Sequence, residues 1–190
     1  TNIMTTGKEY DNIYPVWDWT RIPGTTAIGN QDKTSLEGYQ IGNNEFGGGV
    51  SDGVNGIIAY KGKYNELQAN KAYFFFDNMM FCIGSDISYV QNDNVLTSVE
   101  QNLLNGEVIY NDGQEKQLPS NSNMQLKQLK WVYHNNTGYI FRGTDNVTIQ
   151  NMSQAGSWKD INATGESGLI DKNVFSVWIN HGLNPENASY

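Results

Sequence analysis

A single carboxylate stands directly before three glycines in Asn44-Glu45-Phe46-Gly47-Gly48-Gly49. Without Cβ atoms, a glycine run tolerates positive φ and lets a second backbone or a ligand approach closely. Glu45 is therefore placed to meet a polar ligand. The plainer alternative is a surface turn with a solvated glutamate, since glycine clusters commonly mark loops. Other constellations carry less chemistry. His134 and His181 stand 47 positions apart without a partner at metal spacing, and each closes a predicted strand, where a hydrogen-bonding or surface role is expected. There is no nucleophile elbow and no phosphate-binding loop, and Asp86 and Asp93 lack the spacing of a calcium loop. Trp17-Asp18-Trp19 could stack on sugar rings or simply pack. Cys82, the one cysteine, sits in the apolar run Met79-Met80-Phe81-Cys82-Ile83 and reads as a buried structural thiol.

The elements that must hold these residues are strands. Short aromatic and β-branched runs at 56–60, 71–76, 79–83, 94–101, 107–110, 129–134, 138–142, 146–150 and 173–180 alternate with Gly/Asn/Asp clusters suited to positive φ. In 173–180, Val174, Ser176, Trp178 and Asn180 share one face while Phe175, Val177 and Ile179 share the other, so one buried and one partly wet face is expected. Polar residues 114–128 read as an exposed excursion. Strands at such short intervals predict an all-β antiparallel sandwich rather than βαβ units.

The chain has 190 residues, enough for one domain with a proper core, and 11 Tyr, 7 Phe and 5 Trp supply large apolar surfaces where aliphatic residues are sparse. A formal net charge of −8 argues against nucleic acid or an anionic membrane as partner. It also argues against this chain alone cradling an anionic polymer. No stretch is long and apolar enough for a membrane-spanning helix.

Several segments, in order, closely resemble the central β-domain of the family 8 polysaccharide lyases, the chondroitin, hyaluronan and xanthan lyases, with chondroitin lyases nearest. They are Tyr14-Pro15-Val16-Trp17-Asp18-Trp19-Thr20-Arg21-Ile22-Pro23-Gly24-Thr25-Thr26, the Asn44–Gly49 segment, Phe74-Phe75-Phe76-Asp77 with Gly84-Ser85-Asp86-Ile87, Gly156-Ser157-Trp158-Lys159-Asp160, and His181-Gly182-Leu183-Asn184-Pro185 running to Tyr190. The resemblance implies a large antiparallel super-sandwich over 14–190 that stops before its last strand, with 1–13 a linker or first strand. It implies a parent enzyme, secreted or periplasmic in a bacterium, whose N-terminal helical toroid carries the Asn, His, Tyr and Arg that perform β-elimination on a uronic acid.

The implied partners are an anionic polysaccharide and that helical domain of the same protein. No cofactor and no metal is expected. The implied role of Glu45 is to orient the catalytic groups, since a carboxylate would repel the substrate's own carboxylate; Asn44 could donate to substrate. The competing class is a non-catalytic carbohydrate-binding or structural β-sandwich module. Such a module would expose a row of aromatic rings, whereas a lyase fragment would expose an apolar docking face.

Overall fold

A computed structural model describes residues 3–29 and 43–190, which divide into two compact units. One comprises Thr26–Leu96 with His181–Tyr190. It contains the short β1 (Thr26–Ile28) and an antiparallel four-stranded meander of β2 (Phe46–Ser51), β3 (Gly56–Tyr64), β4 (Leu67–Phe76) and β5 (Met79–Ser88), in that spatial order. Turn chemistry dictates the reversals. Asp52 Oδ1 accepts the N–H groups of Val54 and Asn55 at 2.8 and 2.6 Å, and Gly53 takes φ +90°. Asn65, Glu66 and Asp77 adopt the left-handed conformation at the next two turns.

Cross-strand pairing fixes which residues share a face. Leu67, Ala69 and Ile87 point to a core completed by Ile28, Tyr89 and Val95, with Ala188 and Tyr190 packed against it. Gly84 exists for that packing, because a Cβ there would lie 2.0 Å from the Tyr190 ring. The chain's last residues are laced onto β5 by backbone bonds between Ile87 and Ala188 and between Gly84 and Tyr190. The opposite face carries Phe46, Val50, Ile57, Met79, Phe81 and Ile83, all exposed.

The other unit takes residues up to Thr25 together with Thr97–Asn180. Its first sheet places β6 (Asn94–Leu103), β13 (Ile170–Leu183), β12 (Val147–Gly156) and β9 (Ser122–Leu126) side by side. Its second sheet has the order β11 (Thr137–Ile140), β10 (Trp131–His134), β7 (Ile109–Asn111) and β8 (Glu115–Gln117). A 3-10 turn at Tyr14–Val16 and one helical turn, α1 (Trp158–Ile161), complete it. Residues 3–13 form turns rather than a strand, with Glu9 and Ile13 buried.

The all-β antiparallel expectation holds, with local corrections. β13 is buried on both faces from Val174 to Ile179, not on one. Val174 packs into the cluster of Ile13, Val16 and Trp17, and Trp178 lies under the Arg21 guanidinium at 4.0 Å. On the reverse face Phe175 meets the rings of His134 and Tyr139. Alternation of polar and apolar residues failed as a guide here because Ser176 is itself buried. Segment 114–128 is not a simple excursion: it supplies β8 and β9, and β9 pairs with β12 from Ser122 to Leu126. Its polar alternation fits a strand with one wet face.

Gly47, Gly48 and Gly49 form no turn either. They lie in β2 without positive φ. Only Gly49 is sterically required, since a Cβ would come within 2.7 Å of the Ile57 carbonyl oxygen, whereas Gly47 has nothing within 4 Å. Gly49→Ala should therefore cost ~1–3 kcal/mol of unfolding free energy in urea denaturation, and Gly47→Ala should stay within about 0.5 kcal/mol of wild type. Equal effects would show that the close approach at Gly49 carries no energetic weight.

Candidate functional site

The strand pairing that aligns β2 with β3 continues past the end of β2. Asn43 N–H donates to the Lys63 carbonyl at 2.8 Å, and Glu45 N–H donates to the Lys61 carbonyl at 3.1 Å. Asn44 and Glu45 are thus held at the margin of the sheet, just before β2, with Asn44 Oδ1 lying over Gly62. The Glu45 carboxylate reaches the Lys61 ammonium at 2.7 Å while staying 63% exposed, against 48% for Lys61. The hydrogen bond from Lys61, and then its charge, hold the Glu45 carboxyl below the ordinary glutamate range; the same contact raises Lys61.

This arrangement limits the chemistry. A carboxylate kept ionised near neutrality accepts hydrogen bonds and cannot serve as a general acid. Beside the pair, on the exposed apolar face, lies an open hollow of about 340 Å³ lined by Phe46, Ala59, Lys61, Asn70, Ile83 and Ser85. The site therefore combines an anchored anion, a cation, an amide and a flat apolar floor.

The other sequence candidates fall elsewhere. Trp17 is buried and donates through Nε1 to the Gln101 carbonyl, and Trp19 packs edge-on against it at 5.4 Å, so this pair serves packing. His134 is fully buried, and its Nε2 accepts the Asn105 N–H at 3.0 Å, the hydrogen-bonding role expected of it. Burial holds both His134 and His181 at a pKa of about 4. Among the described residues no His, Cys, Asp and Glu side chains gather into a group able to hold a metal. Cys82 is exposed rather than buried, because the cover over that side of β5 stops at Gly84 under Tyr190. Partial desolvation nonetheless raises its thiol pKa, which disfavours a reactive thiolate.

The model of the polysaccharide lyase family 8 super-sandwich domain matches residues 1–190. This chain belongs to that family. Chondroitinase-AC of Pedobacter heparinus is 42% identical over 193 residues, covering 100% of this chain and 27% of that protein. Xanthan lyase of Bacillus sp. (strain GL1) is 30% identical over 192 residues, covering 95% and 20%. A solved chondroitinase AC lyase superposes with TM-score 0.83 at 38% identity, covering 96% of this chain and 27% of its own. Paenibacillus xanthan lyase gives 0.86 at 25% identity, covering 99% and 19%. The family 8 domain described here thus spans about a quarter of the length of these relatives.

Within the family 8 domain, most of the segments that carried the resemblance prove to be scaffold. Gly156 admits the Pro15 carbonyl, 2.0 Å from where a Cβ would sit, and Trp158 donates to Asn12 at 2.9 Å. Lys61 was invisible to sequence reasoning because 44–49 read as a loop and the following strand as ending at residue 60. The signal was present in the Asp52-Gly53-Val54-Asn55 reversal, which pairs Phe46 with Lys61. Replacing Lys61 with Met should move the Glu45 carboxyl titration upward toward the ordinary glutamate value, read by carboxyl-carbon NMR. An unmoved titration would mean that the ion pair is not populated in solution.

Proposed function

We propose that this chain is the super-sandwich domain of a polysaccharide lyase that cleaves a uronic-acid-containing polysaccharide, a glycosaminoglycan such as chondroitin sulfate, by β-elimination. The observation that carries the reading is the match of the whole chain to the family domain, with chondroitinase-AC 42% identical across it. Proton abstraction from C5 and protonation of the leaving oxygen belong, in this reading, to Asn, His, Tyr and Arg on a helical domain of the same protein. Glu45 accepts hydrogen bonds from those groups and orients them, a role that fits an anchored, ionised carboxylate. Asn44 donates to the substrate. A polymeric substrate places the enzyme outside the cytoplasm, secreted or periplasmic.

The exposed face of the β2–β5 sheet supports this reading over a free-standing carbohydrate-binding module. Sugar platforms are rows of planar rings, whereas here Val50, Ile57, Met79 and Ile83 stand among Phe46, Phe76 and Phe81, and Phe76 meets Phe81 edge-on rather than in a flat row. Such a mixed apolar face suits burial against protein, here the remainder of the parent enzyme.

Two measurements test the reading. The 190-residue chain alone should release no unsaturated uronate from chondroitin, hyaluronan or xanthan, followed by ultraviolet absorbance; product formation by contaminant-free chain would overturn the division of labour. In the full-length parent, Glu45→Ala should lower kcat by roughly 10²–10³-fold with unchanged stability, and Glu45→Gln should restore part of it. Glu66, paired with Lys63 at 3.9 Å, serves as the control and should be neutral when changed to Ala. Glu37, a second control by sequence, lies outside the described residues. Wild-type turnover in Glu45→Ala would reduce Glu45 to an ordinary surface residue.

A further inference from the structure

Among the described residues, four buried side-chain atoms in the unit that contains β6 and β10 make no hydrogen bond within the protein: Arg21 Nε, which has the Asp18 carboxylate 3.4 Å away as an ion-pair partner, and Glu9 Oε2, Asn102 Oδ1 and His134 Nδ1, which have no such partner. Glu9, Asn102 and His134 are 3%, 3% and 0% exposed. An unsatisfied buried polar atom is costly and rare, so the three without even an ion-pair partner call for an explanation.

The strand register brings them together. Glu100 and Asn102 point to the same side of β6, and Glu100 accepts the Tyr139 hydroxyl at 3.2 Å. On the β10–β11 hairpin Val132 pairs with Tyr139 and His134 with Thr137, so His134 lies on the Tyr139 face, one step nearer the turn. Three residues beyond Asn102, the Asn105 N–H donates to His134 Nε2 at 3.0 Å. Asn102 therefore sits between the Tyr139 contact and the His134 contact. Glu9 closes the space. Its carbonyl accepts the Leu103 N–H at 2.8 Å, and its Oε1 accepts the Asn135 side-chain amide at 3.0 Å. Oε1 also takes the N–H groups of Thr5 and Thr6, leaving Oε2 turned away from all of these donors.

We propose that Glu9 Oε2, Asn102 Oδ1 and His134 Nδ1 jointly hold one internal water molecule that ties the N-terminal turns to β6 and to the β10–β11 hairpin. The hydrogen inventory selects water over a cation. Because His134 Nε2 accepts a hydrogen bond, the neutral ring carries its proton on Nδ1, so one donor and two acceptors line the site. A water accepts from Nδ1 and gives its two hydrogens to the carboxylate and amide oxygens, satisfying all three atoms. A metal ion would face the Nδ1 hydrogen. Three partners is the usual number for a buried water, and the Phe175 ring, 4.4 Å from the His134 ring centroid, gives the site an apolar wall.

A crystal structure of this chain at a resolution that places waters is the direct test. The expected result is one water peak about 2.7–3.2 Å from each of the three atoms. No peak, a direct Glu9–His134 hydrogen bond, or an ion at metal–ligand distance would overturn the proposal. In solution, oxygen-17 relaxation dispersion should count one more long-lived water in wild type than in Asn102→Leu, and equal counts would count against it. Should that variant not fold, the nitrogen-15 shifts of His134 in wild type still decide. An Nε2-protonated ring removes the donor and sinks the assignment.

Discussion

Gln101 is the point on which one whole unit hangs. Its side-chain oxygen accepts the Asp18 N–H at 2.7 Å, and its amide donates to the carbonyls of Asp18 and Arg21 at 3.1 Å each. A buried primary amide that satisfies three backbone groups leaves the loop from Trp17 to Arg21 one conformation. Trp17 then closes onto Val174, Arg21 spreads over Trp178, and Trp19 fills the angle between Trp17 and Tyr14. The Pro15 carbonyl comes to rest where only Gly156 allows it. The aromatic motif is thus conditional on a polar contact: without Gln101, two partly buried carbonyls and an N–H would lose their partner.

The second unit follows a different logic. Its meander is asymmetric, with aliphatic and tyrosine side chains covered on one face and a mixed apolar face open on the other. Glu45 stands at the margin between that face and the strand edge, held by register rather than by burial. Exposed ion pairs contribute little to stability, so the Lys61 contact is better understood as setting the charge state and direction of the carboxylate.

Much of this was legible in the sequence. Strands over 71–76, 79–83 and 94–101 follow from β-branched and aromatic runs between turn residues and lie within observed strands, and 146–150 does so from Val147, Asn146 being a left-handed turn residue. Asp77 and Asn136 take the left-handed turns their residue types favour. What failed shares a cause: local composition was overridden by neighbours distant in sequence. Ser176 is buried because β13 is packed on both sides, and Cys82 is exposed because the cover from Tyr190 ends two residues short of it. Three glycines read as a turn became a strand because the reversal lies at Asp52–Asn55 instead. Glu45 was visible as a residue, but Lys61 required the register that joins them.

Lys71 gives the second unit an internal clock. Its ammonium is buried beneath the Tyr190 and Tyr73 rings, donates to Thr26 Oγ1 at 3.1 Å, and is brought by desolvation to a pKa of about 8. An amine so tuned loses its proton in milder alkali than Lys61, whose pair with Glu45 raises its pKa, yet it is buried with the Tyr190 ring beside it. Acylation at Lys71 would therefore mark, once per molecule, the first lifting of the Tyr190 ring from β5, turning a packing contact into a reporter of local unfolding.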